Sequence, residues 1–203
     1  MAVPRQLPNT ITVVRILCAP VFLWMLLADG GADGALRWWA AALFIVAIAT
    51  DGIDGWIARR YEIVTDLGKL LDPIADKVLT GFAFIGLSIL GELPWWITII
   101  VLIREVGITV HRLLVASDHV VAAAWMGKLK TLAQSVALSL ALLPLASLAG
   151  GVWADVIWWV NVVTMTIAVV LTIASGIDYV ITEIRGSRDD KRTGARSDRP
   201  SAA

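Results

Sequence analysis

The chain has 203 residues, of which 58% are hydrophobic and 17% charged, and its mean hydropathy is +0.78. That balance is too apolar for a soluble domain, and the roughly 118 apolar residues are what six membrane-spanning helices of about 20 residues each would use, which leaves no room for a separate soluble catalytic domain. Seventeen basic residues offset seventeen acidic ones, so overall charge selects no partner, and nucleic acid is not expected among them.

Apolar runs fall at 10–28, 36–58, 72–90, 94–116, 125–149 and 152–181. Turn-rich breaks part several of them: Asp29-Gly30-Gly31-Ala32-Asp33-Gly34, Gly91-Glu92-Leu93-Pro94 and Gly150-Gly151. The predicted architecture is all-α and integral to the membrane. Six transmembrane helices form one domain over residues 1–184, and a polar, disordered cytoplasmic tail follows over 185–203. Arg5 and Arg15 precede a short apolar stretch that ends near Ala28, the pattern of a cleaved leader, but Pro20 and Trp24 interrupt it and five further spans follow. It therefore reads as a retained span. The lone Cys18 lies in this run, offers neither a disulfide nor a thiolate metal site, and reads as a buried bystander.

Basic residues set the orientation. Only Arg37 lies near the breaks after runs one, three and five; the other sixteen precede run one, lie in or near the two-to-three and four-to-five segments, or belong to the tail. Both termini are thus expected on the cytoplasmic side, which requires an even number of spans. Of ten tryptophans, Trp38, Trp39, Trp95, Trp96, Trp153, Trp158 and Trp159 gather beside the outer breaks, where an indole, apolar with one polar N–H, is most stable. They read as interfacial anchors.

Charges inside apolar runs are the anomaly, because each costs roughly 2.5–3.5 kcal/mol at a helix centre and usually marks function. Run two ends with Asp51 and Asp54, and run three opens with Asp72 and Asp76. On ideal helices the first pair is about 60° apart and the second about 40°, so each pair shares a face. Four carboxylates converging at the inner boundary need protons or cations to neutralise them. Lys69, Lys77, Arg59 and Arg60 compensate in part, but an all-oxygen set suits hard divalent ions better, and two metals about 3.5–4 Å apart recur in in-line displacement at phosphorus. The competing view of Asp72 is a helix N-cap, with Pro73 at the first helical position. Gly55, Ala58 and Gly68 leave bare backbone beside the acids, for a nucleotide or simply for a partner helix.

The segment from Asp51 to Asp76 reads D-x-x-D-G-x-x-A-R-x8-G-x-x-x-D-x-x-x-D without departure, eight defined positions at defined spacing. It resembles the signature of the CDP-alcohol phosphotransferase family. Flanking segments (Leu7-Pro8-Asn9-Thr10-Ile11-Thr12 with Arg15 and Pro20, Leu71 to Lys77, Arg104-Glu105, and Gly127-Lys128-Leu129-Lys130-Thr131) resemble bacterial members that use a glycerol phosphate acceptor. The resemblance covers nearly the whole chain apart from the outer loops and the tail. It implies a multi-pass cell-membrane enzyme, working at the cytoplasmic side, that moves a phosphatidyl group from CDP-diacylglycerol to an alcohol phosphate and releases CMP.

By that resemblance Asp51, Asp54 and Asp72 ligate two divalent cations, Mg²⁺ or Mn²⁺, while Asp76 shares the ligation and takes the acceptor's proton. Leu7, Pro8, Asn9, Thr10, Gly55, Arg59 and Thr65 would contact CDP-diacylglycerol. Arg59 is physically the best motivated of these, since a guanidinium forks onto phosphate oxygens, although an interfacial arginine also snorkels without such a role. A phosphorylated acceptor needs a separate basic pocket, for which Arg104, His111, Arg112, Lys128 and Lys130 are the candidates. Arg104 and His111 are about 20° apart on one helix face.

Other readings stay open: inside-facing topology charge for Lys128 and Lys130, and an ion pair with Glu105 for Arg104, although adjacent helical residues point about 100° apart and should pair poorly. His111 as a metal ligand is disfavoured by an already carboxylate-rich site, and His119 reads as a loop residue. The tail's arginines either meet anionic headgroups or are simply solvated. Relatives suggest a homodimer. Cardiolipin synthase and inositol-phosphate phosphatidyltransferase share the acidic signature, and a divalent-cation or proton-coupled transporter is the alternative of a different class. Against the transporter, the acids cluster at one boundary and there is no inverted repeat.

Overall fold

The computed structural model describes residues 7–60, 66–114 and 124–197, with side chains described at 12–50, 74–75, 77–111 and 125–185. Every regular element among them is helical: α1 (Leu7–Asp29), α2 (Ala35–Arg60), α3 (Asp66–Ile89), α4 (Trp95–Leu114), α5 (Ala124–Leu142), the single turn α6 (Leu145–Leu148) and α7 (Val152–Ser197). The all-α expectation holds. Among the described residues two stretches, Thr12–Asp29 and Val152–Arg185, are long and apolar enough to cross a membrane.

Three boundaries depart from the sequence reading. Helix α3 starts at Asp66, so Asp72 and Pro73 lie inside it and Asp72 is not its N-cap. Leu67, Lys69, Leu70 and Leu71 favour helix, and Pro73 costs one backbone bond without ending the element. Run five is broken between α5 and α6 at Leu143 and Pro144, because proline lacks the amide donor and restricts the residue before it. Helix α7 continues to Ser197, so the backbone of 185–197 is helical where composition predicts disorder. Prolonging an existing helix adds one hydrogen bond per residue and needs no new nucleus.

Helix α1 packs against α2 and α3, α5 against α7, and the α2–α5, α3–α4, α3–α5 and α4–α7 contacts join the rest. The core combines Phe22, Phe44, Phe84, Leu26, Leu79, Leu87 and Leu138 with the buried alanines Ala19, Ala40, Ala41, Ala83, Ala137 and Ala168. Small residues let helix backbones approach, the packing that works in lipid, where apolar burial drives little. Outside, Leu17, Trp24, Val46, Ile103, Leu132 and Val170 are exposed. In water so much exposed apolar surface would be a liability; hydrocarbon solvent removes it.

Side-chain bonds show that the helices alternate in direction. At one end Arg37, near the start of α2, forks onto Glu92 in the α3–α4 link, with Nη1 on Oε1 and Nη2 on Oε2 (the latter 2.6 Å). The same guanidinium donates from Nε to the Leu142 carbonyl (3.2 Å) and from Nη2 to the Ala141 carbonyl (3.0 Å), closing the last turn of α5. Asp29 Oδ1 accepts from the amides of Gly34 (3.0 Å) and Arg37 (3.3 Å), satisfying donors at the start of α2. In the α3–α4 link Gly91 takes φ +76°, and the Glu92 amide turns back to the Leu87 carbonyl (2.9 Å). A side chain there would be strained. Six of the seven predicted anchors, Trp39, Trp95, Trp96, Trp153, Trp158 and Trp159, are exposed at this end.

Arg37 is 4% exposed, and its substitution should be read out in stability. Arg37→Met leaves Glu92 and two α5 carbonyls without their donor, at a cost on the order of 3 kcal/mol. The thermal midpoint in detergent should fall by several degrees. Arg37→Lys should recover only part, since one ammonium cannot fork. An unchanged midpoint for Arg37→Met would show the clasp to be energetically idle.

Candidate active site

The acidic signature occupies the opposite end. Asp54 lies six residues before the end of α2 and Asp72 six residues after the start of α3, each about 9 Å along its axis from the α2–α3 junction. Asp51 and Asp76 lie nine and ten residues away, about 14–15 Å. The four residues thus form two rungs, at similar distances from the end of α2 and the start of α3, on helices that both pack against α1. Their side chains, with those of Gly55 and Arg59 on α2 and of Leu7, Pro8, Asn9 and Thr10 on α1, lie outside the described ones, and Thr65 and His119 lie outside altogether. Arg15 holds α1 to α2 one turn from Asp51: it is buried, and its Nε donates to the Ala47 carbonyl (3.1 Å).

Four carboxylates with no neutral or sulfur donor among them form a set that hard divalent cations fit. Among the described side chains no group of three metal-ligating residues occurs.

One residue beyond Asp76, α3 enters a cluster of charges that spans three helices. Glu105 on α4 is 5% exposed. Its Oε2 accepts from Lys77 Nζ on α3, and its Oε1 from both Lys130 Nζ on α5 and Arg104 Nη1 on α4, the last at 3.0 Å. Lys130 is 2% exposed. Among the described side chains three cations share this one carboxylate, in a place mostly closed to water. The pairing of Arg104 with its neighbour corrects the sequence expectation: backbone directions diverge, but the long guanidinium stem bends back far enough to reach.

Helix α7 supplies the other wall. Arg104 Nη2 donates to Ser175 Oγ (3.0 Å), His111 Nδ1 pairs with Tyr179 Oη (2.8 Å), and Gln134 Nε2 donates to Thr172 Oγ1 (2.8 Å). Thr172, Ser175 and Tyr179 follow at i, i+3 and i+7, one polar stripe along α7. A Cβ at Gly176 would stand 3.3 Å from Arg104 Cγ, so a glycine there lets the arginine lie flat against α7. Arg104 Nε is buried and has no hydrogen-bond partner among the described residues. A buried, unanswered guanidinium N–H beside two further cationic side chains is a place where an anion is stabilised.

Of the five residues expected to form a basic pocket, Arg104 and Lys130 meet at Glu105 and His111 lies on the same face of α4. Lys128 is exposed and outside the cluster, and the Arg112 side chain is not among those described. Sequence reasoning missed Lys77 and Glu105 as members. The available signal was that Glu105 is the sole acid within run four, where an unpaired carboxylate would be costly. Cys18 is half-buried and free.

A family model described as CDP-alcohol phosphatidyltransferase matches residues 5–174. A "Probable phosphatidylglycerophosphate synthase" of Mycobacterium tuberculosis is 45% identical over 180 residues, 89% of this chain and 82% of that protein. A "CDP-diacylglycerol--glycerol-3-phosphate 3-phosphatidyltransferase" of Bacillus subtilis is 40% identical, covering 86% of this chain and 93% of the relative. One of the same name from Rickettsia prowazekii is 35% identical, with 88% and 96% covered.

Proposed function

The chain belongs to the CDP-alcohol phosphatidyltransferase family, and from that premise we propose that it transfers the phosphatidyl group of CDP-diacylglycerol to sn-glycerol 3-phosphate, giving phosphatidylglycerophosphate and CMP. The observation that carries this reading is the cationic cluster of Lys77, Arg104 and Lys130, which begins one residue along α3 from the rung of Asp51 and Asp76. Reacting hydroxyl and acceptor phosphate are close together in glycerol phosphate, so a proton-accepting carboxylate and an anion-holding cluster must also be neighbours.

Asp76 accepts the proton of the attacking hydroxyl. The hydroxyl oxygen forms its bond to the phosphorus that carries the diacylglycerol, and the bond from that phosphorus to CMP breaks. Two divalent cations, Mg²⁺ or Mn²⁺, held by Asp51, Asp54, Asp72 and Asp76, would supply polarisation of the pyrophosphate and stabilise the departing CMP. Arg59 forks onto a donor phosphate, while Leu7, Pro8, Asn9, Thr10, Gly55 and Thr65 line the nucleotide. Arg104, Lys130 and His111 face the acceptor phosphate, with Arg112 and Lys128 at the mouth. Displacement is direct, without a covalent enzyme intermediate.

The same proposal places six spans, α1 to α5 and α7, in the cell membrane, with both termini and the aspartates cytoplasmic and the Arg37 end outside. Residues 1–184 then form the membrane domain and 185–203 a cytoplasmic tail. Helix α7, 46 residues and roughly 69 Å long, exceeds a hydrocarbon core of about 30 Å and would carry the start of that tail into the cytoplasm. The exposed apolar outer surface and the tryptophans at the Arg37 end support this arrangement. A homodimer is the assembly that the family resemblance implies.

CMP release by the purified protein, with CDP-diacylglycerol, Mg²⁺ or Mn²⁺ and alternative acceptors, tests the reaction. Release with glycerol phosphate is expected. Release only with phosphatidylglycerol or only with inositol phosphate would reassign the acceptor, and no release with any of them would overturn the proposal.

A further inference from the structure

Glu105 bears a charge of the wrong sign for a phosphate site, yet it lies at the centre of the cluster. It is 5% exposed, and both its oxygens are engaged, by side chains from α3, α4 and α5. Without it Lys77, Arg104 and Lys130 would repel one another, and Lys130, at 2% exposed, would be an uncompensated buried charge. With it the three cations are held together around one carboxylate, and a gathering of three cationic groups suits a phosphate dianion. Arg104 is also gripped by Ser175 and pressed against Gly176, which leaves its buried Nε unanswered. Through Lys77 the same carboxylate ties this cluster to the stretch of α3 that carries Asp72 and Asp76.

We propose that Glu105 is a positioning residue: its carboxylate organises Lys77, Arg104 and Lys130 into one cradle for the phosphate of the acceptor and sets that cradle at a defined distance from the acidic rungs. The inference rests on the glycerol phosphate reading above. It differs in sign from a simple charge argument. Glu105→Gln removes one negative charge from the cluster, so if net charge governed binding, the KM for glycerol phosphate would fall. If position governs, it rises, because an amide cannot hold two ammonium groups and a guanidinium.

The test is steady-state CMP release by the full-length protein in detergent or vesicles, per folded molecule, with each substrate varied in turn. For Glu105→Gln the KM for glycerol phosphate should increase by about tenfold or more, as when a residue orienting a ligand-contacting group is lost. The KM for CDP-diacylglycerol should stay within about twofold. Glu105→Asp, which keeps the charge but is one methylene shorter, should fall between wild type and Glu105→Gln, and it carries the test if Glu105→Gln does not fold. An unchanged or lowered KM for glycerol phosphate, or equal changes for both substrates, overturns the proposal while leaving the reaction intact. Absence of turnover with glycerol phosphate in the wild-type protein overturns both.

Discussion

Asp76→Asn is expected to lower CMP release by about 10²–10⁴-fold, the range that a positioned general base contributes, with folding and membrane insertion unchanged. The amide has nearly the same volume and cannot take a proton at neutral pH. Its neighbour Lys77 stays anchored to Glu105 on α4, so the packing of α3 against α4 should survive. A thermal midpoint equal to wild type would establish that. Raising Mg²⁺ or Mn²⁺ separates the two roles proposed for Asp76: a loss fully rescued by excess metal makes it a ligand alone, and near-normal activity at ordinary metal concentration removes the base assignment.

Removal of divalent ions should be as severe. In EDTA, CMP release should fall to background and return when Mg²⁺ or Mn²⁺ is added back in excess. The reason is electrostatic: in the proposed site four carboxylates are gathered, and without cations they would repel one another. Binding should also be visible without catalysis. A cation that binds only the folded protein stabilises it by about 2.7 kcal/mol at one hundred times its Kd, so the thermal midpoint should climb with added metal. Asp51→Asn should flatten that climb. Full activity in EDTA, or a midpoint indifferent to metal in the wild-type protein, would remove the cations from the mechanism.

The basic outline was readable from the residues because its causes are local. Apolar runs long enough to cross a bilayer, glycines at the breaks, and aspartates three and four residues apart all act over one or two helical turns, so one chain suffices to place them. The start of α3 was not readable, because Pro73 beside Asp72 is the ordinary mark of a helix beginning, and only the continuing leucines of 67–71 carry the helix further back. That shift puts Asp72 as far from the start of α3 as Asp54 is from the end of α2. The split at Pro144 carried a local signal that the apolar composition of its run concealed.

Glu105 marks the limit of such reading. In the linear chain it is a lone acid next to Arg104, with which it was expected to pair poorly. Folded, it receives Lys77 from 28 residues before and Lys130 from 25 residues after, while Arg104 reaches on to Ser175, 71 residues away. Arg37 does the same at the other end, reaching Glu92 and Leu142 across 55 and 105 residues. Hydropathy and spacing reveal that a buried charge needs a partner, since an uncompensated one is too costly in an apolar interior. Which partner it finds depends on how the helices cross and how far each side chain extends, and those follow from packing between segments far apart in the chain.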